Sequence, residues 1–171
     1  MEACRQGIVP ATVEIVIAPA PGSDAEAVAA SLNVETSVVA PGEDYGERLL
    51  SALLKCDWVC LAGFLRILPT QVLDRFPDRI LNIHPALLPK FGGKGMYGHH
   101  VHEAVLKAGE SESGCSVHLV NEHYDEGRIV LQKTCAVLPD DTPESLASRV
   151  LALEHQAYPE ALAKVIRERS S

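Results

Sequence analysis

From residue 11 to the C-terminus, short β-branched runs alternate with segments whose apolar residues recur at helical spacing, and this alternation constrains the fold more than any other feature. "ATVEIVIAPA" (11–20), "ETSVVA" and "DWVCLAG" (57–63) read as strands, the last a near-continuous apolar run suited to a parallel strand covered on both faces. Between them, "GSDAEAVAASL" (22–32) reads as a helix capped at Ser23, and "DYGERLLSALLKC" (44–56) as an amphipathic helix. A short helix over "PTQVLDRF", a strand "RILNIH", a Gly-rich loop and a helix over "HHVHEAVLKAG" ending at Gly109 come next. "GCSVHLVNE" and "RIVLQKTCAVL" read as two strands joined by "HYDEG". A long closing helix opens with Thr142 as N-cap and Pro143 at its first position. The pattern predicts an α/β fold: an open, mostly parallel sheet with helices on both faces, which binds ligands at the carboxyl ends of its strands. At 171 residues, 47% of them hydrophobic, the chain is expected to form one domain over 1–171 with a sizeable core.

Charge narrows the partners. Fifteen basic against 23 acidic residues give a formal charge of -8, which repels nucleic acid and anionic lipid. The expected partners are therefore small molecules, with neither nucleic acid nor membrane among them. Cys4, Cys56, Cys60, Cys115 and Cys135 are odd in number and lie mostly in apolar runs, the usage of buried free thiols in a reducing, cytoplasmic compartment. No apolar run approaches membrane-spanning length, and the first residues lack the order of a signal peptide. Oligomeric state is left open.

The stretch "RILNIHPALLPKFGGKGMYGHH" (79–100) holds the unusual chemistry. Strand alternation puts Asn82 and His84 on one face, next to a loop that starts at Pro85. A hydrogen-bonded pair closing a sheet edge and a catalytic pair are equal readings of that position. A carboxylate tips the balance toward catalysis, since it favours a protonated imidazole, and Asp125 in "HYDEG" is the candidate. No Ser or Cys nucleophile stands beside the histidine, so the chemistry suits a substrate that brings its own nucleophile, such as an amine. Asn82 would then donate to a developing oxyanion, His84 would stabilise it and relay protons, and Asp125 would orient and charge the imidazole. His99, His100 and His102 with Glu103 resemble a partial zinc set, but a further ligand such as His118 would have to be brought close, and no metal is expected. His118, among apolar neighbours in "SVHLV", reads as a histidine hydrogen-bonded near the site. Cys56 and Cys60 are spaced as core thiols, and Arg66 in "GFLRIL" is weighed between a solvated charge and a site residue.

"LAGFLRIL", "LNIHPALLPKFGGKGMYGHHVHEAVLKAG", "GCSVHLVNEHYDEGRIVLQ" and "RVLALEHQAYPEAL" together resemble the phosphoribosylglycinamide formyltransferase family, from near residue 1 to about residue 166. The resemblance implies formyl transfer from 10-formyltetrahydrofolate, as cosubstrate, to the amine of glycinamide ribonucleotide in purine biosynthesis. It implies Asn82, His84 and Asp125 as the catalytic residues. It also implies a folate site at Leu65, Arg66, Ile67 and Leu68, closed by Asn82 and by Asn121, Glu122, His123, Tyr124 and Asp125, and a substrate contact at Glu154. Methionyl-tRNA formyltransferases share "NIHP" but carry a further domain and handle tRNA. Departures from the family are Leu119 in place of an aromatic, Arg128 in place of a proline and Gly42 in place of an arginine. The chain is also expected to be truncated at its N-terminus: "MEACRQG" resembles the second half of the helix that follows the family's first strand and Gly-rich phosphate loop. Two alternatives therefore stand beside the transferase, a formyltetrahydrofolate hydrolase and a non-catalytic folate-binding pseudoenzyme.

Overall fold

The computed structural model describes residues 1–170. Their order is α1 (Glu2–Arg5), β1 (Ile15–Ala18), α2 (Asp24–Ser31), β2 (Glu35–Val38), α3 (Tyr45–Ala52), β3 (Val59–Cys60), α4 (Thr70–Arg75), β4 (Ile80–His84), α5 (His99–Lys107), β5 (Glu112–Leu119), β6 (Ile129–Ala136) and α6 (Pro143–Ser170). Helix starts follow local chemistry. Ser23 and Glu26 form a capping box, with Glu26 N–H donating to Ser23 Oγ at 3.3 Å and Ser23 N–H to Glu26 Oε2 at 3.1 Å. Thr142 and Ser145 exchange the same kind of bonds ahead of α6, at 3.3 and 3.0 Å, and Pro143 opens the helix where its missing N–H costs nothing. Beyond α5, Gly109 takes φ +66, the left-handed conformation that ends a helix at least cost.

The class is α/β, and β1 to β4 run in parallel pairs: β1 with β2, and β3 with β4. The last strands reverse, β4 pairing antiparallel with β5 and β5 with β6. These strands fall into a two-stranded and a four-stranded sheet, so β1 and β3 each keep one edge without a strand partner among the described residues. This explains why β3 is only Val59–Cys60 although the apolar run is seven residues long. A ladder bonded to β4 alone stops where that pairing stops, at Leu61 N–H to Leu81 C=O.

Neighbouring residues of β4 point to opposite faces and found two cores. Ile80 joins Val59, Val72 and Phe76 under α3 and α4, while Leu81 joins Val117, Leu146 and Val150 under α6. Each such side chain stabilises the fold by about 1.5–3 kcal/mol when fully buried, so both helical layers are anchored on the one strand that ends at His84.

Candidate active site

His84 is the last residue of β4, and Asn82 stands two residues before it. The antiparallel register sets Asn82 opposite His118 and His84 opposite Ser116 on β5. The connection from β5 to β6 then brings Asp125 back over the strand ends with φ +57, a conformation that Asp tolerates better than most residues. These segments bring four polar side chains together. His84 Nδ1 lies 3.5 Å from Asp125 Oδ2, Asp125 Oδ1 lies 3.5 Å from His118 Nε2, and His118 Nε2 lies 3.2 Å from Asn82 Nδ2.

The hydrogen-bond network assigns the hydrogens. A backbone carbonyl only accepts, so His84 Nε2, 2.7 Å from Phe91 C=O, carries a hydrogen, as does His118 Nδ1, 2.9 Å from Leu119 C=O. With the hydrogen on Nδ1, His118 Nε2 is free to accept from the Asn82 amide, and the second Asn82 N–H remains for a ligand. In neutral His84 the lone pair is on Nδ1, facing the carboxylate. Burial lowers the His84 pKa below its ordinary value near 6.5, against the opposing pull of the Asp125 carboxylate and the Phe91 carbonyl. Burial pushes the Asp125 carboxyl up, but His118 Nε2, which bonds it only when that nitrogen carries a hydrogen, the Gly93 N–H at 2.9 Å and the positive charge of a protonated His84 together hold its pKa below the usual carboxylate range. The result at neutral pH is a buried neutral imidazole beside an ionised carboxylate, a proton acceptor with its counter-ion already in place.

Ser116 is buried opposite His84, and its hydroxyl is fully engaged, so it offers no free nucleophile. It donates to Ala86 C=O at 2.6 Å and accepts from Leu88 N–H at 3.0 Å and Gln132 Nε2 at 2.8 Å. Gln132 also donates to Leu88 C=O at 3.0 Å, so the two side chains pin the loop that follows His84. Sequence reasoning missed both residues. Their only signal was their place on strands next to the histidine motif.

A cavity of about 370 Å3 opens beside the cluster, walled by Pro89, Gly92, Tyr124, Asp125 and Ile129. The other expected positions are arranged less tightly. Residues 65–68 follow β3, which runs parallel to β4, and so they lie at the same end of the sheet as His84. There Leu65 and Ile67 expose 61% and 62% of their surface, Arg66 is exposed and Leu68 is buried, so two apolar side chains are free to meet a ligand. Asn121, Glu122, His123 and Tyr124 are exposed, with His123 N–H bonded to Asn121 Oδ1 at 2.9 Å, and Tyr124 with Asp125 lines the cavity. Glu154, on α6, is partly buried. Burial raises its pKa, and it makes no hydrogen bond with Asn82, His84 or Asp125. His99 and His100 pair with Glu103 at 3.1 and 3.5 Å, while His118 belongs to the Asn82 cluster. Among the described residues no metal-ligating group of three comes together.

Residues 2–162 match the model of the formyl transferase family. A chloroplastic phosphoribosylglycinamide formyltransferase of Arabidopsis thaliana is 54% identical over 113 residues, which cover 66% of this chain and 39% of that protein. The chain thus spans about two fifths of that relative's length. The solved phosphoribosylglycinamide formyltransferase of Brucella melitensis superposes with a TM-score of 0.86 at 39% identity, over 96% of this chain and 85% of that one. A formyltetrahydrofolate deformylase from Pseudomonas syringae superposes with a TM-score of 0.88 over 98% of this chain and 56% of its own, but at 20% identity it shares the fold alone. Among the described residues no helix is long and apolar enough to cross a membrane. With its site at the end of β4 and its match over nearly the whole length, the chain belongs to the formyl transferase family.

Proposed function

We propose that this chain transfers a formyl group from 10-formyltetrahydrofolate to the amine of glycinamide ribonucleotide, a step of purine biosynthesis, in the cytoplasm. The observation that carries the reading is the Asn82, His84, His118 and Asp125 cluster, which has proton-handling groups and no free nucleophile, so the acyl acceptor is a substrate amine. The names of the relatives support the choice of that amine, and five free cysteines support a reducing compartment.

The donor supplies an activated formyl group. Backbone groups of residues 65–68 and the loop from Asn121 to Asp125 hold its ring system, with Leu65, Ile67 and Tyr124 as apolar contacts. The free N–H of Asn82 donates to the formyl oxygen as negative charge grows there. His84 takes up at Nδ1 the proton that the amine gives up as its nitrogen bonds to the formyl carbon, and Asp125, 3.5 Å away, stabilises the imidazolium. The imidazolium returns that proton to N10 of the folate as the bond from N10 to the formyl carbon breaks, releasing tetrahydrofolate and the formylated amine. His118 holds the Asn82 amide with its nitrogen toward the site, and Glu154 contacts the ribonucleotide. Incubation with 10-formyltetrahydrofolate, with and without glycinamide ribonucleotide, tests this. Turnover that requires the ribonucleotide supports transfer, amine-independent formate release makes the chain a hydrolase, and no turnover in either arm refutes the reading.

A further inference from the structure

Two acceptors compete for the single hydrogen of the neutral His84 ring. Phe91 C=O lies 2.7 Å from Nε2, and Asp125 Oδ2 lies 3.5 Å from Nδ1. Only the first is within the usual range of an N–H···O bond, so the hydrogen sits on Nε2 and the lone pair on Nδ1. Without that carbonyl the nearest acceptor would be the carboxylate. The tautomer would then turn over, with the hydrogen on Nδ1 and no lone pair there for an incoming proton.

The carbonyl comes from a strained residue. Among the described residues, the non-glycine positions with positive φ are Asn33, Asp44, Asp78, Phe91 and Asp125. Asn and Asp tolerate that region, whereas a bulky aromatic does not, and Phe91 at φ +56 is the outlier. Such a conformation persists only where the surroundings hold it, and it concentrates at functional sites. Here the ring packs, partly buried, against the core under α6. Gly92 lets the turn come close to Asp125, since a Cβ there would meet Leu88 Cδ2 at 2.5 Å and Asp125 Cβ at 3.2 Å. Gly93, at φ +95, donates its N–H to Asp125 Oδ2 at 2.9 Å. The turn 91–93 therefore grips His84 through a carbonyl and Asp125 through an N–H, on the same oxygen that faces His84 Nδ1. We propose that Phe91 is a positioning residue for the reaction: its left-handed backbone aims the carbonyl that fixes the hydrogen of His84 on Nε2 and keeps Nδ1 as the proton acceptor beside Asp125. Its kinetic effect rests on the formyl-transfer reading, but the tautomer is a property of the free chain.

Phe91→Asn, Phe91→Ala and Phe91→Val all lose the ring and differ in how well they accept a positive φ, falling in that order. Nitrogen NMR of the imidazoles in the free full chain at neutral pH reads the tautomer, with His84 assigned by the loss of its signals in His84→Gln. The expected result is a hydrogen on Nε2 in the parent and in Phe91→Asn, and a growing share on Nδ1 from Phe91→Ala to Phe91→Val. The kcat should fall in the same order, by about tenfold or more in Phe91→Val, with KM for both substrates little changed. A residue that served only to pack would lower the melting temperature in all three variants and move the tautomer in none. A parent His84 with its hydrogen on Nδ1 overturns the proposal, as does a tautomer unmoved in both Phe91→Ala and Phe91→Val, or a kcat lost equally in Phe91→Asn and Phe91→Val. If Phe91→Val does not fold, Phe91→Ala against Phe91→Asn decides the same question. No turnover in the parent refutes the formyl-transfer reading, while the tautomer series still decides the role of Phe91.

Discussion

At the scale of single residues, the site is a neutral histidine held between a backbone carbonyl and a carboxylate. Truncating it to alanine removes the proton acceptor while leaving β4 and its two core faces in place, so His84→Ala should lower turnover by about two orders of magnitude or more with little change in the melting curve. Near-wild-type turnover would remove His84 from the mechanism. Asp125→Asn keeps the shape and deletes the charge that raises the His84 pKa, so an NMR titration should find the imidazole titrating lower still than in the parent. An unmoved or rising value would show that the carboxylate is not coupled to the ring. Asn82 and His84 were legible in the sequence because alternation along a strand is local. The pairing of Asn82 with His118 was not, since it depends on an antiparallel register between strands 36 residues apart. Nor was the Phe91 carbonyl, because any residue type can offer one.

At the scale of elements, the connection between β5 and β6 positions Asp125, and it does so through close backbone packing. A Cβ on Gly127 would lie 1.7 Å from the Leu119 carbonyl oxygen, next to the rung in which Leu119 N–H donates to Arg128 C=O at 2.9 Å. A backbone carbonyl cannot step aside as a flexible side chain can. Gly127→Ala should therefore destabilise the chain by about 1–3 kcal/mol, and by displacing Asp125 two residues away it should also impair turnover. A thermal melt and an assay on the same preparation check both; wild-type values for each would mean that the hairpin relaxes freely. Helix starts at Ser23 and Thr142 and the stop at Gly109 were readable, because caps are short-range chemistry. The length of β3 was not. "DWVCLAG" carries strand propensity throughout, but how much of it pairs depends on how many neighbours it finds.

At the scale of the whole molecule, two buried histidines set the acid limit of stability. Burial lowers the pKa of His84 and of His102, whose Nδ1 has no partner and which also feels His99 and His84. Above about pH 6.5 neither the folded nor the unfolded chain binds a proton at these sites. Below it the unfolded chain does and the folded chain resists, so stability falls with pH from about 6.5 down toward the depressed folded values. Urea midpoints should drop between about pH 7 and 5.5, before the carboxylates titrate, and the drop should be shallower in His102→Gln. Equal slopes in the two chains would clear His102 of the effect. The division of the strands into two sheets has a consequence in time as well as in space. Seven of the eight residues of β5 are buried, whereas in β1 and β2 only Ala18 is. Opening β1 and β2 therefore exposes little and breaks no rung of the larger sheet. Under native conditions, amide protons at 15–18 and 35–38 should exchange through a low-energy partial opening, while those of β5 wait for global unfolding. Exchange of both groups at one common free energy would mean that the two sheets open as a single unit.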